Sequence, residues 1–372
     1  MAEVSLGALA HNCREARALV GGGVRVMAVV KADGYGHGAV QAAHAFLRGG
    51  AALLGVSTVA EGAALRAAGI DAAIVVLGGH FAGEATVALQ HDLAVAVWTG
   101  AALDELAAAG RALGRVPGVH VKIDSGMTRL GLDVEQVPAF AARLRAHGDV
   151  EVAGVFSHLA SADAVDSAPV QAQIDRFGRA VAALRAAGVQ PTMVHLANSA
   201  GVLCEPRTHH DGARPGIMLY GYPPAPHLGE RARLRPALQL VTRVLQVRRV
   251  PAGRPVGYGG TFVTRRPSTI AVLPVGYADG YHRLAGNRAA VVVRGRRVPV
   301  AGRVCMDHTM IDATDAGGVE VGDRVCLIGA QGDAAVWADE LAAWCETIPY
   351  EMVTALARRV PRRYVEEFDG DG

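Results

Sequence analysis

The sequence predicts an α/β protein built as a TIM-type (β/α)8 barrel followed by a smaller, mostly antiparallel β domain. Eight short apolar runs begin near Arg25, Ala52, Ala73, Leu93, Gly118, Glu151, Thr192 and Ala213. Most are separated by one helix's worth of Ala, Leu and Arg, the rhythm of a parallel sheet closed by right-handed crossovers. After Gly221 the texture changes to a proline-rich, charged stretch and then to β-type runs punctuated by Gly and Pro. A chain of 372 residues is also too long for one ordinary core. The division expected is residues 1–225 for the barrel and 226–372 for the second domain.

In chain order, Ser5 to Val20 reads as a helix stopped by Gly21 to Gly23. Val26 to Val30 is a β-branched run of the kind buried on both faces, and it breaks into the glycine-rich loop KADGYGHG. Thr58 to Glu61 forms a capping box at the start of one crossover helix, and Gly110 and Gly188 read as the stops of others. Pro223, Pro224 and Pro226 with the charged 230–235 stretch make a linker. Beyond it, Leu238 to Val250, Ser268 to Val275, Ala289 to Val300 and Arg324 to Ile328 read as strands. Two helices are expected at Ala338 to Cys345 and Tyr350 to Arg359, the second closing on arginines that suit a helix carboxyl end. The polar 366–372 end is expected to fray.

Half of the residues are apolar, 19% are charged and the formal net charge is +2, which suits a compact enzyme with no polyanionic partner. No basic run with interleaved aromatics suggests nucleic acid. The amino terminus carries Glu3, His11, Arg14, Glu15 and Arg17, unlike a secretory or membrane segment, so residence in the cytoplasm is expected. The five cysteines are odd in number and widely spaced, which fits reduced thiols and no zinc site.

Of the 37 basic residues only Lys31 and Lys122 are lysine. Where a chain so rich in arginine keeps lysine, chemistry can be the reason: a guanidinium forms no Schiff base with an aldehyde, whereas a partly buried primary amine does. A strand-end lysine can also simply snorkel to solvent. Lys31 ends the first strand, Lys122 and Asp124 the fifth and His158 the sixth. Asn198 and Ser199 follow the seventh, and Arg214 to Ile217 lie at the eighth. All fall at the carboxyl ends of barrel strands, where active sites on this fold gather, with phosphate held after strands seven and eight. Ser199 opens a helical pattern whose amides can hold an anion.

The segment AVVKADGYGHG resembles the pyridoxal-phosphate lysine segment of alanine racemases. VKIDSGMTRLG, FSHLASAD, HLANSAG, RPGIMLYG, VGYGGTF, PVGYADG, RVCMDHTMID and IPYE are similar to that family too, in its order and over nearly the whole chain. The resemblance implies racemisation of L- and D-alanine on pyridoxal 5′-phosphate (PLP), with Lys31 as the covalent site. It implies a phosphate held by Tyr35, Ser199, Gly216, Ile217 and Tyr350, and Arg214 on the ring nitrogen. Because a guanidinium keeps its proton, that nitrogen would remain an acceptor and the ring a weaker electron sink, which suits return of one proton to the same carbon.

Inverting a stereocentre through a planar intermediate needs proton removal on one face and delivery on the other. The resemblance implies Lys31 for one face and, for the other, Tyr258 from the second subunit of a head-to-tail homodimer with shared active sites. A phenol of pKa about 10 must fall by roughly two to three units, about 3 to 4 kcal/mol, to act near neutral pH. Arg129 and His158 are the cations expected to help, with Arg129 also facing the substrate carboxylate. Met306 would offer its amide to that carboxylate, and Tyr277 and Asp163 would line the entry channel. Lys122 is matched by a lysine that some family members carbamylate; a plain ion pair with a neighbouring carboxylate or chloride is the other reading. The product would be D-alanine for peptidoglycan. The competing readings are a racemase of broader range, accepting serine or lysine, a non-catalytic PLP-binding protein, and a Schiff-base aldolase without cofactor.

Overall fold

The computed structural model describes residues 1–166 and 168–368, and these divide into two compact units. One comprises Leu9–Gly34 and Ala39–Arg235; the other comprises Met1–Ala8, Tyr35–Gly38 and Pro236–Gly372. The expectation of a frayed end falls on 369–372, outside the described residues. Glu366 itself is pinned, because its carbonyl accepts from the Gly7 amide at 2.8 Å and the Ser5 hydroxyl at 2.9 Å.

The first unit is a closed parallel barrel of eight strands: Arg25–Val29, Leu53–Val56, Ala73–Val76, Leu93–Val97, Gly118–Lys122, Glu151–Phe156, Val194–His195 and Gly212–Ala213. Each begins within two residues of its expected start. Every neighbouring pair is parallel, and the first strand closes on the eighth through Arg25↔Gly212. Continuous burial of strands such as LLGV explains why these runs read as solid apolar blocks: helices cover the outside while the inside packs on itself. Met27, Leu53, Val75 and Met193 form one such internal cluster.

The helix after the amino-terminal strand spans Leu6–Val20, with the Ser5 hydroxyl accepting from the Ala8 amide at 3.0 Å. The Thr58 capping box is present, and Gly188 stands at φ +80° beyond the helix Ala168–Ala186. Gly110 is not a stop. The helix Gly100–Leu113 runs through it and ends at the left-handed Gly114. Gly110 is required there by packing, since a Cβ would lie 2.7 Å from the Arg115 carbonyl oxygen and 2.8 Å from the Pro117 ring.

The second unit holds a sheet of mostly antiparallel strands in the order Arg296–Pro299, Ala290–Val293, Arg324–Gln331, Leu238–Arg243, Ala2–Ser5 and Arg362–Val365. Ala2–Ser5 pairs antiparallel with Leu238–Arg243 and parallel with Arg362–Val365, so the first residues of the chain complete the carboxy-terminal sheet. The run 289–300 is a hairpin rather than one strand, because Arg294 and Gly295 both take positive φ, the geometry of a tight two-residue turn. Leu238 to Val250 likewise breaks in two at Val244 and Leu245. A second sheet joins Gln246–Val250, Ser268–Leu273 and Thr309–Asp312. The last helix spans only Pro349–Thr354, so the arginines expected at its carboxyl end lie beyond it. Arg359 pairs with Asp279 and Asp307 instead. No described helix is long and apolar enough to cross a membrane.

Candidate active site

The carboxyl mouth of the barrel carries Lys31, Lys122, Arg129, His158 and Arg214, and they feel one another's charge. Lys31 follows the first strand and is open to solvent. Partial desolvation and the Arg129 guanidinium lower its ammonium pKa, against the Glu61 carboxylate, which raises it. Lys122 is buried, its Nζ 4.7 Å from the centroid of the Phe156 ring. Burial, then Arg214, Arg129 and Lys31 lower it to about 7, outweighing Asp124. Among the described residues Lys122 makes no ion pair with a carboxylate, because Asp124 is committed to its own loop. Its Oδ1 accepts from the amides of Gly126, Met127 and Thr128 at 2.8, 2.9 and 3.1 Å, and Oδ2 from that of Arg129 at 3.2 Å. Partial burial works against that carboxylate, and the four amides still hold it below its ordinary range. Asp124 therefore fixes the loop that presents Arg129.

His158 differs from expectation as a charge. Burial first, then Arg214, Lys122, Arg129 and Lys31 push its pKa well below the usual imidazole value. A neutral ring is not the fixed cation the sequence suggested.

Arg214 is 4% exposed and lowered by burial to about 9. Its Nη1 donates to the His195 carbonyl at 2.8 Å and to His195 Nδ1 at 3.0 Å, and its Nη2 to the carbonyls of Ser157 and Leu196 at 2.5 and 3.2 Å. A guanidinium only donates, so His195 Nδ1 accepts. His195 is held neutral by burial and Arg214, which puts its proton on Nε2, shared with His120 Nδ1 at 2.9 Å. The Nε–H of Arg214 takes part in none of these bonds and is the donor left for a ligand. His195 and His120 were not assigned roles from sequence, yet His195 ends the strand beside that of Arg214, and that adjacency was the available signal.

Asn198 caps the short helix Ser199–Cys204, its Oδ1 accepting from the Gly201 amide at 3.0 Å. The Ser199 oxygen accepts from the amides of Gly216 at 2.9 Å and Met218 at 3.4 Å, leaving its proton to donate. The Ile217 amide, in a fully buried residue, meets no acceptor among the described residues. A cationic mouth, a free amide and a hydroxyl proton after strands seven and eight, and a spare Arg214 donor fit a phosphorylated pyridine aldehyde. Asp163 is exposed in the same unit.

The other predicted residues lie in the second unit. Tyr35 is 7% exposed, with its ring centroid 6.1 Å from that of Tyr350. Tyr258 is 70% exposed on a turn bracketed by the positive-φ Gly257, Gly259 and Gly260. It borders a concavity of about 800 Å³ together with Val256, Cys305, His308 and Met310. Met306 and Tyr277 are half exposed, and the Met306 carbonyl accepts from the Ala278 amide at 3.0 Å. Arg359 binds both Asp279, two residues after Tyr277, and Asp307, next to Met306.

The family model described as alanine racemase, N-terminal domain, matches residues 4–224, and that described as alanine racemase, C-terminal domain, matches 237–364. The chain is 47% identical to an alanine racemase of Symbiobacterium thermophilum, over 98% of this chain and 96% of that one. Its fold is similar to the crystal structure of alanine racemase from D-cycloserine-producing Streptomyces lavendulae, with TM-score 0.94, 39% identity and coverage of 99% and 97%. It is also similar to that from Bartonella henselae with covalently bound pyridoxal phosphate, with TM-score 0.88, 29% identity and coverage of 98% and 99%. Barrel and second sheet thus agree with the comparisons over nearly the whole length: the chain belongs to the alanine racemase family.

Proposed function

We propose that this chain racemises alanine with pyridoxal 5′-phosphate as cofactor, as a homodimer with shared active sites. The carrying observation is Lys31, a lone lysine at the end of the first barrel strand whose ammonium is destabilised by its surroundings. The family and a neighbour described with covalently bound pyridoxal phosphate support the cofactor. When bound, that cofactor supplies the electron sink that acidifies the amino acid's Cα–H.

Lys31 would hold the cofactor covalently, and its amine would move a proton at Cα on one face. A depressed ammonium pKa lets the amine act as a base nearer neutral pH. Tyr258 of the partner subunit serves the opposite face, so the barrel 1–225 of one chain works with the domain 226–372 of the other. Arg129 supplies the fixed positive charge for that phenol and faces the substrate carboxylate, which also meets the amide of the partner subunit's Met306. Arg214, whose Nε–H is the donor left over, would hold the ring nitrogen while keeping its own proton, being well above neutral even when buried. Ser199, Gly216 and Ile217 would hold the phosphate, with Tyr35 and Tyr350 joining them and Tyr277 and Asp163 lining the way in as the family resemblance implies. Lys122, titrating near 7, has the neutral fraction that carbamylation by carbon dioxide requires. The D-alanine would be made in the cytoplasm for peptidoglycan.

The test is racemisation of L-alanine in deuterated water by wild type, Lys31→Ala and Tyr258→Ala. The reading expects loss in the lysine variant, and in the tyrosine variant a slowing with unequal solvent-deuterium incorporation in the two directions. A Tyr258→Ala enzyme as fast as its parent both ways would end the two-base assignment.

A further inference from the structure

The capping box at Thr58 and Glu61 reads from sequence as a helix start and nothing more. In the structure the Glu61 carboxylate also reaches outside its helix. Oε2 accepts from the amides of Ser57 at 2.7 Å and Thr58 at 3.3 Å, while Oε1 accepts from the Ala32 amide at 2.7 Å. Ala32 directly follows Lys31 and opens a left-handed turn, with φ/ψ of 54°/50° at Ala32, 53°/47° at Asp33 and 60°/46° at Gly34. Tyr35 follows at φ 52°. Residues with a Cβ avoid this region, because Cβ crowds the following carbonyl oxygen, so the turn needs holding from outside.

Two of its hydrogen bonds are local: the Gly34 amide donates to the Val30 carbonyl at 2.9 Å, and Asp33 Oδ1 accepts from the Ala39 amide at 2.9 Å. The Glu61 bond comes from the first turn of the helix Val59–Ala67, which follows the second barrel strand, the direct neighbour of the strand that leads to Lys31. We infer that Glu61 is a positioning residue for Lys31, clamping the left-handed turn behind the lysine to the rigid start of the helix Val59–Ala67. Its carboxylate also acts on the Lys31 ammonium, favouring the charged form. The inference rests on the reading that Lys31 carries the cofactor and moves the Cα proton.

The experiment compares holoenzymes of wild type, Glu61→Ala, Glu61→Gln and Thr58→Val. Borohydride reduction and peptide mass spectrometry first locate the cofactor in wild type. If it is not on Lys31, the reading of function fails, whatever Glu61 does. Hydrogen exchange of the 30–36 segment then reads the clamp. Glu61→Ala is expected to speed it by about tenfold or more, while Thr58→Val, which removes only the helix cap, stays within about twofold of wild type. Glu61→Gln keeps one acceptor, so its exchange rises less, by about threefold, but the acid limb of its kcat–pH profile moves to lower pH because the carboxylate that raised the Lys31 pKa is gone. Exchange in Glu61→Ala equal to wild type, or a Thr58→Val variant as loose as Glu61→Ala, would overturn the inference. Should Glu61→Ala not fold, a Glu61→Gln enzyme with wild-type exchange and an unmoved acid limb would overturn it equally.

Discussion

Replacing Lys122 with Met tests how the barrel mouth stores charge. Lys122 is 6% exposed and has no hydrogen bond or ion pair with any described residue, so an unbranched apolar side chain leaves no orphaned partner behind. Its pKa falls from 10.5 to about 7, and a drop of that size corresponds to roughly 5 kcal/mol of unfavourable burial when the amine is charged. The contact with the Phe156 ring offsets about 1 to 2 kcal/mol of this. Below pH 7 both folded and unfolded chains are protonated and the whole cost is present. Between 7 and 10.5 the unfolded chain keeps a proton that the folded one has shed, so wild-type stability rises with pH through this window. In bicarbonate-free buffer Lys122→Met should therefore be more stable than wild type by roughly 2 to 4 kcal/mol at pH 6, with the gap shrinking by roughly 3 kcal/mol by pH 9. Denaturant midpoints at the two pH values measure it. A gap that does not change with pH would mean that Lys122 titrates as an ordinary lysine, and the crowding of cations described for the mouth would be wrong.

Two further outcomes follow from the same structure. His120, lowered to about 3, and His158 and His195, pushed well below the imidazole range, stay neutral in the folded chain. Their stability is complete above pH 6.5 and is lost as the unfolded chain binds protons below it, by up to about 4 kcal/mol per pH unit for three sites; a stability profile flat from pH 6.5 to 5 would contradict this. Gly110→Ala, which helix propensity alone would make stabilising by about 1 kcal/mol, should instead cost about 1 to 3 kcal/mol, because the new Cβ meets backbone and a proline ring. Thermal unfolding of the variant gives the sign directly.

The barrel was legible because fully buried strands leave unbroken apolar runs. Even the two-residue strands Val194–His195 and Gly212–Ala213 were located by their flanks. Ala2–Ser5 was not legible as a strand of the carboxy-terminal sheet, since its partners lie more than 200 residues away and local pattern carries no such pairing. Gly110 was misread because a glycine required by packing and a glycine that ends a helix look the same in sequence. The shortened last helix was misread because arginines suit both a helix end and an ion-pair cluster. In the site, the single lysines and the arginine before proline announced themselves by residue type. The neutrality of His158 did not, because it arises first from burial and then from four cations brought together by different strands. The left-handed conformation of Ala32 was likewise invisible, being imposed on a residue with no preference for it.

Mixing inactive Lys31→Ala and Tyr258→Ala subunits, with dissociation and reassociation, tests the shared active site most directly. In a mixed dimer one site would receive the intact lysine from one chain and the intact tyrosine from the other, and its second site neither. Random pairing would then restore about a quarter of wild-type specific activity from two preparations that have almost none. No recovery from well-mixed, fully cofactor-loaded dimers would mean that both bases come from a single chain, and the account would be wrong.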